Sequence, residues 1–72
     1  EGRVKVVAPM SGKILGIKVS LNQAVKKGEV VAVLEAMKME TNILAKTAGE
    51  IEKIFIKNGD QVGAGQLIAT LK

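Results

Sequence analysis

Residues 35–40 read Glu-Ala-Met-Lys-Met-Glu, a primary amine bracketed by two thioethers and then by two carboxylates. An amine so placed can attack an activated acyl group and hold it as an amide. The same residues also have a bland reading. A lysine at a turn is usually just solvated, and methionines in a small apolar domain usually fill gaps in the core. Little else in the chain suggests chemistry. With no His and no Cys, it lacks the usual general base, the thiolate nucleophile and the soft metal ligands. Its acids are Glu1, Glu29, Glu35, Glu40, Glu50, Glu52 and Asp60. Gly63-Ala64-Gly65 superficially suggests a nucleotide loop. It precedes a short β run, however, and lacks the third Gly, the following helix and the acidic residue of a dinucleotide site.

At 72 residues the chain is expected to fold as one domain, residues 1–72, with no room for a core and a large substrate cleft together. A whole enzyme is therefore not expected. Without disulfides, stability must come from regular packing of Val, Ile, Leu and Ala. Eleven Lys and Arg against seven acids give a net charge of +4, enough to consider an anionic partner. The lysines are scattered among strands and turns, and the stacking aromatics of single-strand binders are missing, so no nucleic-acid partner is expected. The longest apolar run, residues 30–34, is far short of the ~20 residues of a membrane span, and no signal segment opens the chain. No membrane insertion is expected, and the expected location is cytoplasmic. Because it starts at Glu1 rather than Met, the chain is read as the C-terminal part of something longer.

The elements that must position the amine come from an internal repeat. Sliding the sequence against itself by 37 residues matches 8–35 onto 45–72 without a gap. The identities are Ala8/Ala45, Gly12/Gly49, Ile14/Ile51, Ile17/Ile54, Val25/Val62, Gly28/Gly65, Ala32/Ala69 and Leu34/Leu71, with Val6/Ile43, Val7/Leu44, Val19/Ile56, Val30/Leu67 and Val31/Ile68 similar. Two similar halves imply a quasi-symmetric domain, and neither half could bury its own apolar face, so the halves should pack on each other. Short β-branched runs separated by turn signals every eight to twelve residues predict an all-β sandwich or barrel. Strands are expected at 4–8, 12–19, 24–26, 30–37, 39–45, 49–57, 61–63 and 67–71. Gly28 and Gly65, equivalent in the repeat, read as turn residues with φ > 0. Between the halves lies a segment with no counterpart, Ala36 to Asn42. Strand 30–37 must reverse into 39–45 almost without a loop, placing Met37-Lys38 at the tip of a tight hairpin that lacks the favoured Asn-Gly chemistry. That mismatch suggests a reason other than folding for the tip residues.

The string Ala36-Met37-Lys38-Met39 resembles the biotinylation motif of biotin carboxyl carrier domains, the mobile modules of biotin-dependent carboxylases, transcarboxylases and decarboxylases. The resemblance covers nearly the whole chain. Ala8-Pro9-Met10-Ser11-Gly12 is similar to the family's Ala-Pro-Met-x-Gly entry segment, and Gly28, Ile43 and Gly49 fall at the family's spacings. It implies a flattened antiparallel β-barrel of two four-stranded sheets related by a quasi-twofold, with the modified lysine on a protruding hairpin.

It further implies that biotin is joined by an amide to Lys38 by a separate biotin protein ligase, lowering the charge from +4 to +3. The biotin would carry a carboxyl group between biotin carboxylase and carboxyltransferase, or decarboxylase, sites on other subunits or domains, and this domain would itself be non-catalytic. Met37 and Met39, with Ala36, Glu35 and Glu40, are the residues that ligase and partners would read. The family often has Asn directly after Met-Glu, where this chain has Thr41 and then Asn42. No insertion separates Ser20 from Gly28, so the protruding thumb of some bacterial acetyl-CoA carboxylase carriers is expected to be missing. A lipoyl domain, which shares the barrel, is the nearest alternative, but such domains usually flank the lysine with Asp and Ala. A structural or nucleic-acid-binding small barrel is a more distant one.

Overall fold

The computed structural model describes residues 4–72. It contains β1 (Val4–Val7), β2 (Gly12–Ile17), β3 (Ala24–Val25), β4 (Val30–Ala36), β5 (Met39–Leu44), β6 (Gly49–Ile54), β7 (Gln61–Val62) and β8 (Leu67–Leu71). They form two four-stranded sheets, ordered β1-β8-β6-β3 and β5-β4-β2-β7, with every pairing antiparallel. Adding 37 to the residue numbers carries β1, β2, β3 and β4 onto β5, β6, β7 and β8, so each sheet maps onto the other in order. The expected quasi-twofold barrel is the observed fold.

The symmetry extends to single bonds. The Gly28 amide donates to the Ala45 carbonyl and the Gly65 amide to the Ala8 carbonyl, both at 2.8 Å; Ile14 donates to Asp60 at 2.8 Å and Ile51 to Gln23 at 2.9 Å. Gly28 and Gly65 have φ of 87° and 81°, as their turn role predicts. In each turn a side chain closes the loop: Glu29 Oε1 accepts from the Lys26 amide and Gln66 Oε1 from the Gly63 amide, each at 2.9 Å. The repeat thus specifies turns through geometry, with a carboxylate or an amide serving equally as acceptor.

The core follows the same rule. Val6, Ala8, Ile14, Val19, Val25, Val31, Ala32 and Leu34 are buried together with Ile43, Ala45, Ile51, Ile56, Val62, Ile68, Ala69 and Leu71. Each member of the second set is 37 residues from one of the first. Paired bulges, between Ile14 and Gly16 in β2 and between Ile51 and Lys53 in β6, curve each sheet towards the other.

Strand ends depart from expectation in one informative way. The expected strands 12–19 and 49–57 stop at Ile17 and Ile54. The reason is topological. β2 belongs to one sheet and β3 to the other, so residues 18–23 must cross between sheets; residues 55–60 do the same for β6 and β7. Val19 and Ile56 stay buried as the chain crosses, which is why they look like strand residues in the sequence. Every connection between successive strands crosses in this way except one, the turn from β4 to β5.

Two glycines let neighbouring strands of one sheet approach closely, Gly12 of β2 beside the end of β4 and Gly49 of β6 beside the end of β8. A Cβ at Gly12 would collide with the Glu35 carbonyl oxygen, whereas one at Gly49 would meet the equivalent Lys72 carbonyl at 3.1 Å. Gly12→Ala should therefore cost about 1–3 kcal/mol, as overpacking does, and Gly49→Ala visibly less. Chemical denaturation of the two variants checks the order.

Candidate functional site

The β4–β5 pairing runs without irregularity to its end through Leu34↔Thr41, Glu35↔Glu40 and Ala36↔Met39. That register leaves Met37 and Lys38 as a two-residue loop. Their φ values are 53° and 65°, both left-handed, as a type I′ turn requires. Neither residue suits this conformation, which costs a side chain with a Cβ about 1–2 kcal/mol per position. At the other non-glycine position with positive φ, Asn22 at 68°, the type is a tolerant one and its repeat equivalent is Gly59 at 91°. Among the described residues, the tip alone puts ill-suited residues in this conformation.

The other connections cross between the sheets, whereas the last rung of this hairpin, Ala36↔Met39, lies past the last partner that β2 offers β4, Lys13↔Glu35. Lys38 is exposed at its tip. Met37 is 93% exposed and Met39 70%, so neither fills the core, contrary to the bland reading of methionine. Ala36 is half-buried at the last rung. Glu35 and Glu40 face each other on one side of the hairpin, and Lys13 of β2 lies opposite Glu35 on its other flank. A row of two acids and one base therefore crosses the foot of the tip. Directly opposed like charges weaken strand pairing, so this pair is tolerated rather than favoured by the fold.

The tip is braced from below. Gly12 lets the start of β2 press on the Glu35 backbone, and the Ala64 amide donates to Ser11 Oγ at 3.3 Å. This brings the 8–12 entry segment and the 36–39 motif, far apart in sequence, to the same end of the barrel. The role of Lys13 was not read from the sequence, where it is one scattered lysine among many. The Gly12/Gly49 match carried the signal for the close approach, but not which backbone was approached. Residues 20–23 form a compact turn leading straight into β3, and no protruding thumb separates Ser20 from Gly28. Among the described residues, no group of three or more acids, His or Cys could hold a metal ion. Nor, among the described residues, is any helix long and apolar enough to cross a membrane.

A family model described as "Biotin-requiring enzyme", covering biotin and lipoyl domains, matches residues 4–71. The chain belongs to this family. It is 42% identical over 67 residues to a pyruvate carboxylase of Aspergillus niger, a match that covers 93% of this chain and 6% of that protein. It is 39% identical over 64 residues to a biotin carboxyl carrier protein of Streptococcus mutans, covering 89% of this chain and 49% of that one. Among solved structures, the urea carboxylase of Kluyveromyces lactis superimposes with a TM-score of 0.95 at 30% identity, over 100% of this chain and 6% of that chain. A single-chain, multi-domain long-chain acyl-CoA carboxylase gives 0.90 at 25% identity over 96% of this chain and 7% of that one. The chain thus spans half or less of each relative. It is a biotin carboxyl carrier domain of the kind found in carboxylases, a carrier rather than a catalyst, and its cofactor is biotin.

The strained turn makes a clear expectation. Replacing Met37-Lys38 by Asn-Gly should raise stability by about 1 kcal/mol, since those residues accept positive φ. Urea or thermal unfolding of the double variant against the parent chain measures it.

Proposed function

We propose that Lys38 is the biotin attachment point and that the domain works as one piece of a longer chain or larger complex. The observation that supports this best is the placement of an exposed primary amine at the tip of the one connection, among the described residues, that stays within a sheet. The residues present fit the group. An amide to Nζ needs access to the amine from outside and a rigid base beneath it, and the I′ turn on a fully paired ladder supplies both.

Attachment proceeds by attack of Nζ on the carbonyl of biotinyl-adenylate, made by a separate biotin protein ligase. The C–N bond forms, AMP leaves, and the nitrogen gives up a proton. When bound, biotin supplies a ureido nitrogen that accepts and releases a carboxyl group. The chain's own residues do the rest. The hairpin holds the linkage clear of the barrel, and Ala36, Met37 and Met39 form a small, soft, uncharged surround that can adapt to more than one protein. Glu35 and Glu40 set an acidic foot beneath it. Attachment neutralises Lys38, so the tip above those carboxylates loses its positive charge. The partners are the ligase, then biotin carboxylase and carboxyltransferase, or decarboxylase, sites of the parent assembly. Tethering replaces diffusion between such sites by intramolecular transfer at high effective concentration.

Co-expression with a biotin ligase should give a chain whose intact mass includes one biotin and whose band shifts with avidin. Lys38→Arg should fold with the same melting profile and give no shift. Avidin binding by that variant, or modification of the parent chain by a lipoate ligase in preference to the biotin ligase, would sink the assignment.

A further inference from the structure

The chain has three methionines and no cysteine, so thioethers are its only sulfur. None of the three lies in the core, which is built from Val, Ile, Leu and Ala. Met10 is 40% exposed, whereas Met37 and Met39 are 93% and 70% exposed and stand on either side of Lys38. Side chains that adapt well to irregular cores are thus kept out of this one, and two of them are set where oxidants in solution meet no thiol competitor.

We propose that Met37 and Met39 are a reversible oxidation site that controls acylation of the lysine between them. The inference rests on Lys38 being the attachment residue. The oxidant is a hydroperoxide. A thioether sulfur gives an electron pair to the terminal peroxide oxygen, the S–O bond forms as the O–O bond breaks, and the departing oxygen takes up a proton to leave as water or an alcohol. Sulfur is oxidised and the peroxide reduced. The product sulfoxide is polar and chiral where the thioether was apolar and soft, so the surround that a ligase must read changes character. Because neither side chain packs in the core, the change stays at the tip and leaves the barrel intact. Methionine sulfoxide reductases reverse it, one enzyme for each epimer.

The test treats the unbiotinylated chain with hydrogen peroxide, maps oxygen uptake by peptide mass spectrometry, and measures biotinylation with purified ligase and ATP. Oxygen should enter Met37 and Met39 before Met10. The biotinylation rate should fall several-fold with no change in the melting profile, and should return after treatment with both reductases. A Met37→Leu/Met39→Leu variant, scored against its own untreated rate, should lose the sensitivity, and Met10→Leu should keep it. Equal rates before and after oxidation of Met37 and Met39, or sensitivity that persists in the double variant, would overturn the proposal. Failure of the untreated chain to accept biotin at Lys38 would instead strike the attachment reading on which it rests.

Discussion

Each half of the chain makes one apolar face and has nothing of its own to bury it against, so the barrel exists only as a mutual covering of the two halves. The eight buried pairs related by 37 residues are the physical form of that dependence. Burying an aliphatic side chain of this size contributes about 1.5–3 kcal/mol, and in a domain without disulfides little else holds the sheets together. Positions facing the core are therefore matched between halves, while positions facing water are free to diverge. Lys13 and Glu35, opposed across one sheet, become Glu50 and Lys72 in the other, with the charges exchanged. The Lys72–Glu50 ion pair, at 3.9 Å and half exposed, is of the kind that contributes little, which is why its polarity can be reversed without consequence for the fold.

Against that matched background the hairpin is the exception on every count. It is the single connection that stays within a sheet, it puts two ill-suited residues at positive φ, and it sets two carboxylates face to face. The last two work against stability, and the strained Met37-Lys38 turn lies between the matched halves with no repeat equivalent. The strain is carried by a ladder that remains fully paired to its last rung and by the close seat that Gly12 gives the Glu35 backbone. A rigid barrel and a locally unfavourable tip are thus separable parts, and a carrier needs both. The barrel fixes where the amine stands, and the tip keeps it uncovered.

Much of this was legible in the residues themselves. The shift of 37 exposed the repeat, the β-branched runs placed eight strands near their observed positions, and the lack of an Asn-Gly at the reversal flagged Met37-Lys38 as out of keeping with its turn. What the sequence hid was which strands share a sheet. Alternation along Ile17 to Val19 looks the same whether the chain continues in a strand or crosses to the facing sheet, because Val19 is buried either way. Methionine is equally ambiguous, since it suits both a core gap and a solvent-exposed docking surface, and only the fold separates the two. Nor could Lys13 be told from the other lysines until β2 was aligned beside β4.

The pseudo-symmetry also says what stands in the hairpin's place on the other half. Leu34 and Thr41 face each other just below the tip; their counterparts, Leu71 and Val4, face each other where β8 meets β1. β5 runs away from the tip, and Gly49, soon after its end, lies against Lys72, so this second pair sits at the far pole of the barrel. The tip and that pole are topologically interchangeable. A short loop joining β8 to β1, with the chain cut open at residues 37–38, would give a circular permutant with the same sheets and the same core. Joined without the cut, the backbone would become a ring with two equivalent hairpins, a scaffold already shaped to present a second lysine at the pole opposite the first.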